Sequence, residues 1–223
     1  MLKSVYLMPG MAANPRIFEF LKFPKKIQVI YLSWISPEKE ESLENYAKRM
    51  CKRITNSKSI LIGVSMGGIL VQEMANYLEC EKVIIISSIK SNKELPNPMK
   101  LAKITNAHKL LPTQLIQNIE SLAIFALGNK LKKRLELYER YLSERDPDYL
   151  SWAIDKIVNW KRIEPLKNVI HIHGKNDTVF PVKNIISPYI EVPGDHAIIL
   201  TKYEWFNKNL PYIIEGNYNN FIV

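Results

Sequence analysis

Ser65 sits in Gly63-Val64-Ser65-Met66-Gly67, between the β-branched run Ser59–Val64 and the helical pattern Ile69-Leu70-Val71-Gln72-Glu73-Met74. In a strand-turn-helix setting this G-x-S-x-G spacing has a mechanical meaning. The turn is tight enough to strain the serine backbone, and glycines two residues to either side let neighbouring backbone pass without a Cβ collision. The hydroxyl is thereby held out at the carboxyl edge of a sheet. Because a serine hydroxyl is a weak nucleophile at neutral pH, it needs a general base that a third group orients. The chain has 4 histidines to choose from. His108 lies in a helical stretch with no partner signal and reads as a packing or surface residue. His171 and His173 share one face of a predicted strand and, with Asp177, raise a metal-site reading. Metal-dependent enzymes with a His-x-His pair carry it after their first strand and in longer chains, so no metal is assigned. His196 leaves the last predicted strand through Val192-Pro193-Gly194-Asp195 and is the base candidate.

The acid should lie on another loop at the same edge. Asp177, in His173-Gly174-Lys175-Asn176-Asp177, follows a strand end, whereas Asp146, Asp148 and Asp155 are accounted for by capping and solvation. Asp195 adjoins the histidine, and neighbouring loop side chains point apart. Glu94, after the fourth predicted strand, is the next candidate. A serine, base and acid of this kind suit acyl transfer, which also needs N–H donors for a developing oxyanion, each worth about 3 to 4 kcal/mol. The expected donors are the backbone N–H of Met66, at a helix start whose dipole favours negative charge, and that of Met11 in Met8-Pro9-Gly10-Met11-Ala12. A dinucleotide-binding turn fits less well. The spacing is not G-x-G-x-x-G, and Ser87 and Ser88, not an acidic residue, end the next strand.

The elements that must position these residues come from periodicity. Val5–Met8, Gln28–Trp34, Ser59–Val64, Lys82–Ser87, Asn168–His173 and Tyr189–Val192 are short apolar runs bounded by turn residues. Most are apolar on both faces, as in parallel strands covered by helices on each side. They predict a three-layer α/β/α fold with a mainly parallel six-stranded sheet. Asn14-Pro15 opens a short helix, Ser42 caps a helix with the stripe Leu43, Tyr46, Ala47, Met50, Cys51 and Ile54, and Asp146-Pro147 opens another with Leu150, Ala153, Ile154 and Ile157 inward. Cys51 therefore reads as a small buried hydrophobe. From 89 to 165 the strand rhythm gives way to helical patterns only, so 89–165 is expected to be an inserted helical cap on a core of 1–88 and 166–223. Leu111, Leu115 and Ile119 would give that cap an apolar wall for substrate, although for any single one of them packing is the stronger reading.

On these residues the chain resembles the α/β-hydrolase superfamily, particularly small bacterial members with a helical cap. The likeness rests on Pro9-Gly10-Met11, Gly63-Val64-Ser65-Met66-Gly67, His173-Gly174-Lys175-Asn176-Asp177 with Pro181, and Gly194-Asp195-His196. It covers nearly the whole length, and the order serine, aspartate, histidine is that superfamily's order. It implies catalytic roles for Ser65, Asp177 and His196. Two departures stand out. Pro9-Gly10 replaces the common His-Gly before the oxyanion residue, and the chain begins at the strand leading into that loop, without the two N-terminal antiparallel strands of the full fold.

The expected activity is a serine hydrolase cleaving a carboxylic ester or thioester through an acyl-enzyme, with a small acyl molecule as its partner and no cofactor. Alternatives are another reaction on the same fold (a C–C hydrolase, perhydrolase or lyase) or a non-catalytic small-molecule binding protein. At 223 residues, 47% hydrophobic and 24% charged, the composition suits one packed domain with an insertion and excludes extended disorder. The net charge of +9 arises from 31 Lys+Arg against 22 Asp+Glu, mostly dispersed lysine. Without an aromatic-interleaved basic motif it reads as solvated helix faces, so no nucleic-acid partner is expected. Lys175 alone adjoins the candidate site, which leaves an anionic substrate as a suspicion. Cys51 and Cys80 form neither a disulfide framework nor a zinc pattern. No signal peptide, no stable membrane insertion and a cytoplasmic location are expected, and the sequence leaves the oligomeric state open.

Overall fold

The six apolar runs form strands, seen in a computed structural model that describes residues 2–106, 108, 139–186 and 188–218. Strand β1 (Lys3–Met8), β2 (Ile27–Tyr31), β3 (Ser59–Val64), β4 (Cys80–Ile86), β5 (Val169–Gly174) and β6 (Ile190–Val192) make one 6-stranded sheet in the order β2-β1-β3-β4-β5-β6. Every pairing is parallel. The expectation of a mainly parallel sheet is met by a sheet wholly parallel among the described residues. Leu7, Ile60, Leu61, Ile62, Ile84, Ile85 and Ile86 have no exposed surface. Helices cover both faces, so alternation with polar residues has no use in these strands.

The strand order reverses between β1 and β3, since β2 lies on one side of β1 and the later strands on the other. In open α/β sheets the crevice for a ligand opens at the carboxyl ends of strands at such a reversal. Met8 pairs with Gly63 at that end, so the loop after β1 and the turn after β3 leave the sheet side by side.

The helix starts follow local capping chemistry. Asn14 accepts from Arg16 N–H at the 3-10 turn Pro15–Phe18, and Ser42 accepts from Asn45 N–H at α1 (Leu43–Cys51). α2 (Met66–Met74) follows β3 directly, and α3 (Asn97–Thr105) follows the segment beyond β4. Asp146 accepts from Tyr149 N–H at α4 (Pro147–Val158), and α5 (Ile198–Thr201) and α6 (Tyr203–Glu215) close the described chain. Leu43, Tyr46, Ala47 and Met50 are buried as the α1 stripe requires, but Cys51 and Ile54 are only partly buried. Burial still pushes the Cys51 thiol up to about 11, so it is an inert thiol rather than a reactive one.

Several strand ends depart from expectation, by at most three residues. β2 stops at Tyr31 instead of continuing to Trp34, because Trp34 turns inward and Ser33 O accepts from the Arg53 guanidinium at 3.0 Å. β4 begins at Cys80, where a register shift lets it pair with Ser59. α4 lies against the core. Its Tyr149 ring meets Trp34 at 5.3 Å, its Trp152 ring meets Tyr46 at 4.4 Å, and Trp152 Nε1 donates to Glu41 O at 2.8 Å. Residues 107 and 109–138 of the expected cap, with Leu111, Leu115 and Ile119, lie outside the described residues. Among the described residues no helix is long and apolar enough to cross a membrane.

Candidate active site

Ser65 links β3 to α2 with φ 51° and ψ −120°, outside the regions an L-residue ordinarily adopts. Such a backbone costs about 1 to 3 kcal/mol and persists only where its surroundings over-determine it. Those surroundings are specific: Ser65 N–H donates to Ile86 O at 2.9 Å, while Ser65 O accepts from Gly68 N–H at 2.9 Å and from Ser88 Oγ at 2.7 Å. A Cβ on Gly63 would strike the Gly67 carbonyl, and one on Gly67 would strike the Pro9 and Met8 carbonyls. Both glycines of the motif are therefore required by backbone crossing, for the reason the sequence suggested.

The other two residues arrive from the loops after β5 and β6. Ser65 Oγ lies 3.0 Å from His196 Nε2, and His196 Nδ1 lies 2.8 Å from Asp177 Oδ2. Because a carboxylate only accepts, Nδ1 carries the proton and Nε2 presents its lone pair to the serine hydroxyl. Asp177 is buried and held from both ends. Its Oδ1 accepts from Val179 N–H at 2.8 Å and Phe180 N–H at 2.9 Å. Burial by itself would raise the Asp177 carboxyl, but the His196 ring and its hydrogen bond, with support from His173 and the Phe180 amide, hold it below the usual carboxylate range. It is thus a fixed negative charge beneath the imidazole. Asp195 does not compete, because its Oδ1 accepts from Ala197 N–H at 3.0 Å.

His171 and His173 lie directly behind Asp177. His173 Nε2 is 2.8 Å from Phe180 O and 3.4 Å from Asp177 Oδ2, so that nitrogen is a donor. Its Nδ1 consequently accepts from His171 Nε2 at 2.9 Å. Burial pushes both imidazoles below their usual range, which matches two neutral rings in these tautomers. The pair braces the Asp177 loop. Among the described residues no group of three or more His, Cys, Asp or Glu is placed to hold a metal ion.

Met66 directly follows the serine, and Met11 follows Gly10, which lies beside it. Met66 is the first residue of α2, and the first-turn N–H groups of a helix have no intrahelical acceptor. Met11 lies in a turn closed by Ala13 N–H to Gly10 O at 3.1 Å, and an added Cβ on Gly10 would sit 3.4 Å from Ser65 Cβ. Glu94 takes a structural part, accepting from Lys90 N–H and from Ile186 N–H at 2.8 Å. Lys175 pairs with Glu191 at 3.2 Å, so its charge is already answered by the protein. His108 is buried and lies between Ala102 O at 3.0 Å and Asp155 Oδ1 at 3.1 Å, joining α3 to α4. Sequence reasoning missed Ser88, His173 and Trp34 as supporting residues. Ser88 and Trp34 carry no local pattern, since each acts on a residue more than twenty positions away, whereas His173 stood in a visible His-x-His pattern whose partner Asp177 lies four residues on.

Comparison with known proteins agrees with this architecture. An esterase from Exiguobacterium antarcticum superposes with a TM-score of 0.70 at 16% identity, over 96% of this chain and 92% of that one. A thioesterase from the prodiginine biosynthetic pathway in Streptomyces coelicolor gives a TM-score of 0.64 at 14% identity, over 94% and 89%. A bromoperoxidase from Bacillus anthracis gives a TM-score of 0.65 at 16% identity, over 96% and 92%. No protein-family model and no curated protein matches the sequence. The chain has the α/β-hydrolase fold.

Proposed function

We propose that the protein is a serine hydrolase that cleaves a carboxylic ester or thioester through an acyl-enzyme. One observation carries this reading: the hydrogen-bonded row from Ser65 through His196 to Asp177, at 3.0 Å and 2.8 Å, starting from a serine of strained backbone. In the proposed reaction Ser65 Oγ attacks the carbonyl carbon as its proton passes to His196 Nε2, and Asp177 stabilises the imidazolium that forms. The Met11 and Met66 N–H groups receive the oxyanion. His196 then returns the proton to the departing alcohol or thiol, leaving an ester on Ser65. Water, deprotonated by His196, attacks that ester and frees the acid and the serine. The residues 89–165 are read as a cap on the core.

Names among the similar structures support ester and thioester cleavage as the class to test first. The bromoperoxidase among them supports a second acceptor, hydrogen peroxide in place of water, which would yield a peracid from the same acyl-enzyme. A fluorophosphonate probe should label the folded protein once, and Ser65→Ala should abolish labelling. Folded wild-type protein that does not label overturns the reading and favours a binding protein. Turnover of p-nitrophenyl esters and acyl-thioesters of graded chain length then separates ester from thioester and measures the acyl pocket.

A further inference from the structure

We infer that Trp34 is a positioning residue for the oxyanion site: its indole N–H sets the orientation of the peptide that carries Met11 N–H. Resting on the acyl-transfer reading above, the inference concerns a residue outside the serine, histidine and aspartate row. Trp34 Nε1 donates to Gly10 O at 2.8 Å, and both groups are buried. Gly10 C=O and Met11 N–H belong to one planar trans peptide and point in opposite directions. A donor fixed on the carbonyl oxygen therefore aims the N–H away from the indole. Ala13 N–H occupies the same oxygen at 3.1 Å, so two donors hold it and rotation of this peptide would break both bonds. Donation to the carbonyl also polarises the amide, making its N–H a stronger donor.

The indole is itself held in place. Its ring meets Tyr149 at 5.3 Å and Tyr46 at 6.2 Å, in a cluster that joins the segment after β2 to α1 and α4. Tyr149 Oη accepts from Ala12 N–H at 3.4 Å, and Ala12 has φ 63°, the left-handed region that an alanine seldom adopts. Glu144 N–H donates to Ala12 O at 3.0 Å on the other side. The turn is thus kept in a strained form by groups from distant elements, and Trp34 is the one that touches the peptide of the expected oxyanion donor. An aromatic residue kept only for packing would need no N–H at this position.

The test replaces Trp34 by 3-benzothienylalanine, which keeps the shape and removes the N–H, with Trp34→Phe as a second variant. In the benzothienyl variant kcat for p-nitrophenyl acetate should fall about three- to tenfold with KM unchanged, as expected for one buried hydrogen bond acting through the transition state. Affinity for a trifluoromethyl ketone, whose adduct with Ser65 bears the oxyanion, should fall by the same factor. The Met11 amide nitrogen resonance should shift, because its own peptide loses a carbonyl hydrogen bond. A folded variant with unchanged kcat and an unmoved Met11 resonance overturns the inference and leaves Trp34 a packing residue. Inactive, unlabelled wild-type protein overturns the acyl-transfer reading and this inference together. Active wild type with an unaffected variant overturns this inference alone.

Discussion

At the scale of single residues, Asp177 determines what His196 can do. Its carboxylate accepts only, so the imidazole must place its proton on Nδ1 and its lone pair toward Ser65. Asp177→Asn would put an amide in that position and favour the opposite tautomer. The expected outcome is a folded protein whose kcat on a p-nitrophenyl ester is lower by about four orders of magnitude, checked by steady-state kinetics beside a circular-dichroism melt. Near-normal turnover would show that Asp177 does not orient the base. Ser65, Asp177 and His196 were legible as candidates because each follows an apolar run and carries a residue type with a definite chemical task. Ser88 was not, although its hydroxyl holds the Ser65 carbonyl at 2.7 Å. A serine after a strand is chemically unremarkable until the backbone it touches is known.

At the scale of elements, the nucleophile helix α2 is tied to the chain returning from α4. Glu73, on α2, accepts from Trp160 Nε1 at 2.9 Å and Arg162 Nε at 3.1 Å. The side chains of Arg162 and Glu73 are 12% and 9% exposed, so removing the carboxylate would leave a nearly dry guanidinium with only the neutral acceptors Gln72 O and Asn76 Oδ1. Glu73→Ala is expected to lower unfolding free energy by about 3 kcal/mol, read from the urea midpoint. Asp146→Ala, which removes the α4 cap on Tyr149 N–H, should cost about 1 kcal/mol by the same measurement. The two differ for a physical reason: one strands a buried charge, the other a single neutral backbone N–H. The caps at Asn14, Ser42 and Asp146 were legible, since capping acts over two or three residues. The early end of β2 was not, because Arg53 on Ser33 O and the inward turn of Trp34 depend on partners elsewhere.

At the scale of the whole molecule, two neutral histidines in the core make stability depend on pH. Burial holds the folded-state values of His171 and His173 below the ordinary 6.5. The unfolded chain therefore binds more protons than the folded one below about pH 6.5, and stability rises with pH across that window. It is fully present above 6.5 and is lost as pH falls toward the depressed folded values. The slope should approach about 1.4 kcal/mol per pH unit for each histidine. Urea unfolding at stepped pH should show this acid-side loss, and the double variant His171→Phe with His173→Gln should flatten it. An unchanged slope would mean that other groups carry the acid response. Lys175, the basic residue that adjoins the site in sequence, is paired with Glu191.

The amino-acid sequence by itself determined the alternation of strands and helices, the capped helix starts and the order in which serine, aspartate and histidine leave the sheet. These depend on spacing and residue type within a few positions, where periodicity and turn chemistry act. Only the tertiary structure decided that the turn at 10–13, the loop at 177–181 and the turn at 194–197 converge on Ser65. It alone placed His171 and His173 behind the carboxylate, Trp34 on the Gly10 carbonyl and Glu73 between α2 and the returning chain. Apart from the histidine pair, which lies within six residues of Asp177, those contacts join residues far apart in sequence, and they are selected by how helices pack on a twisted sheet. Packing of that kind needs only an apolar face of suitable volume, so it leaves no periodic trace from which a particular partner could be named.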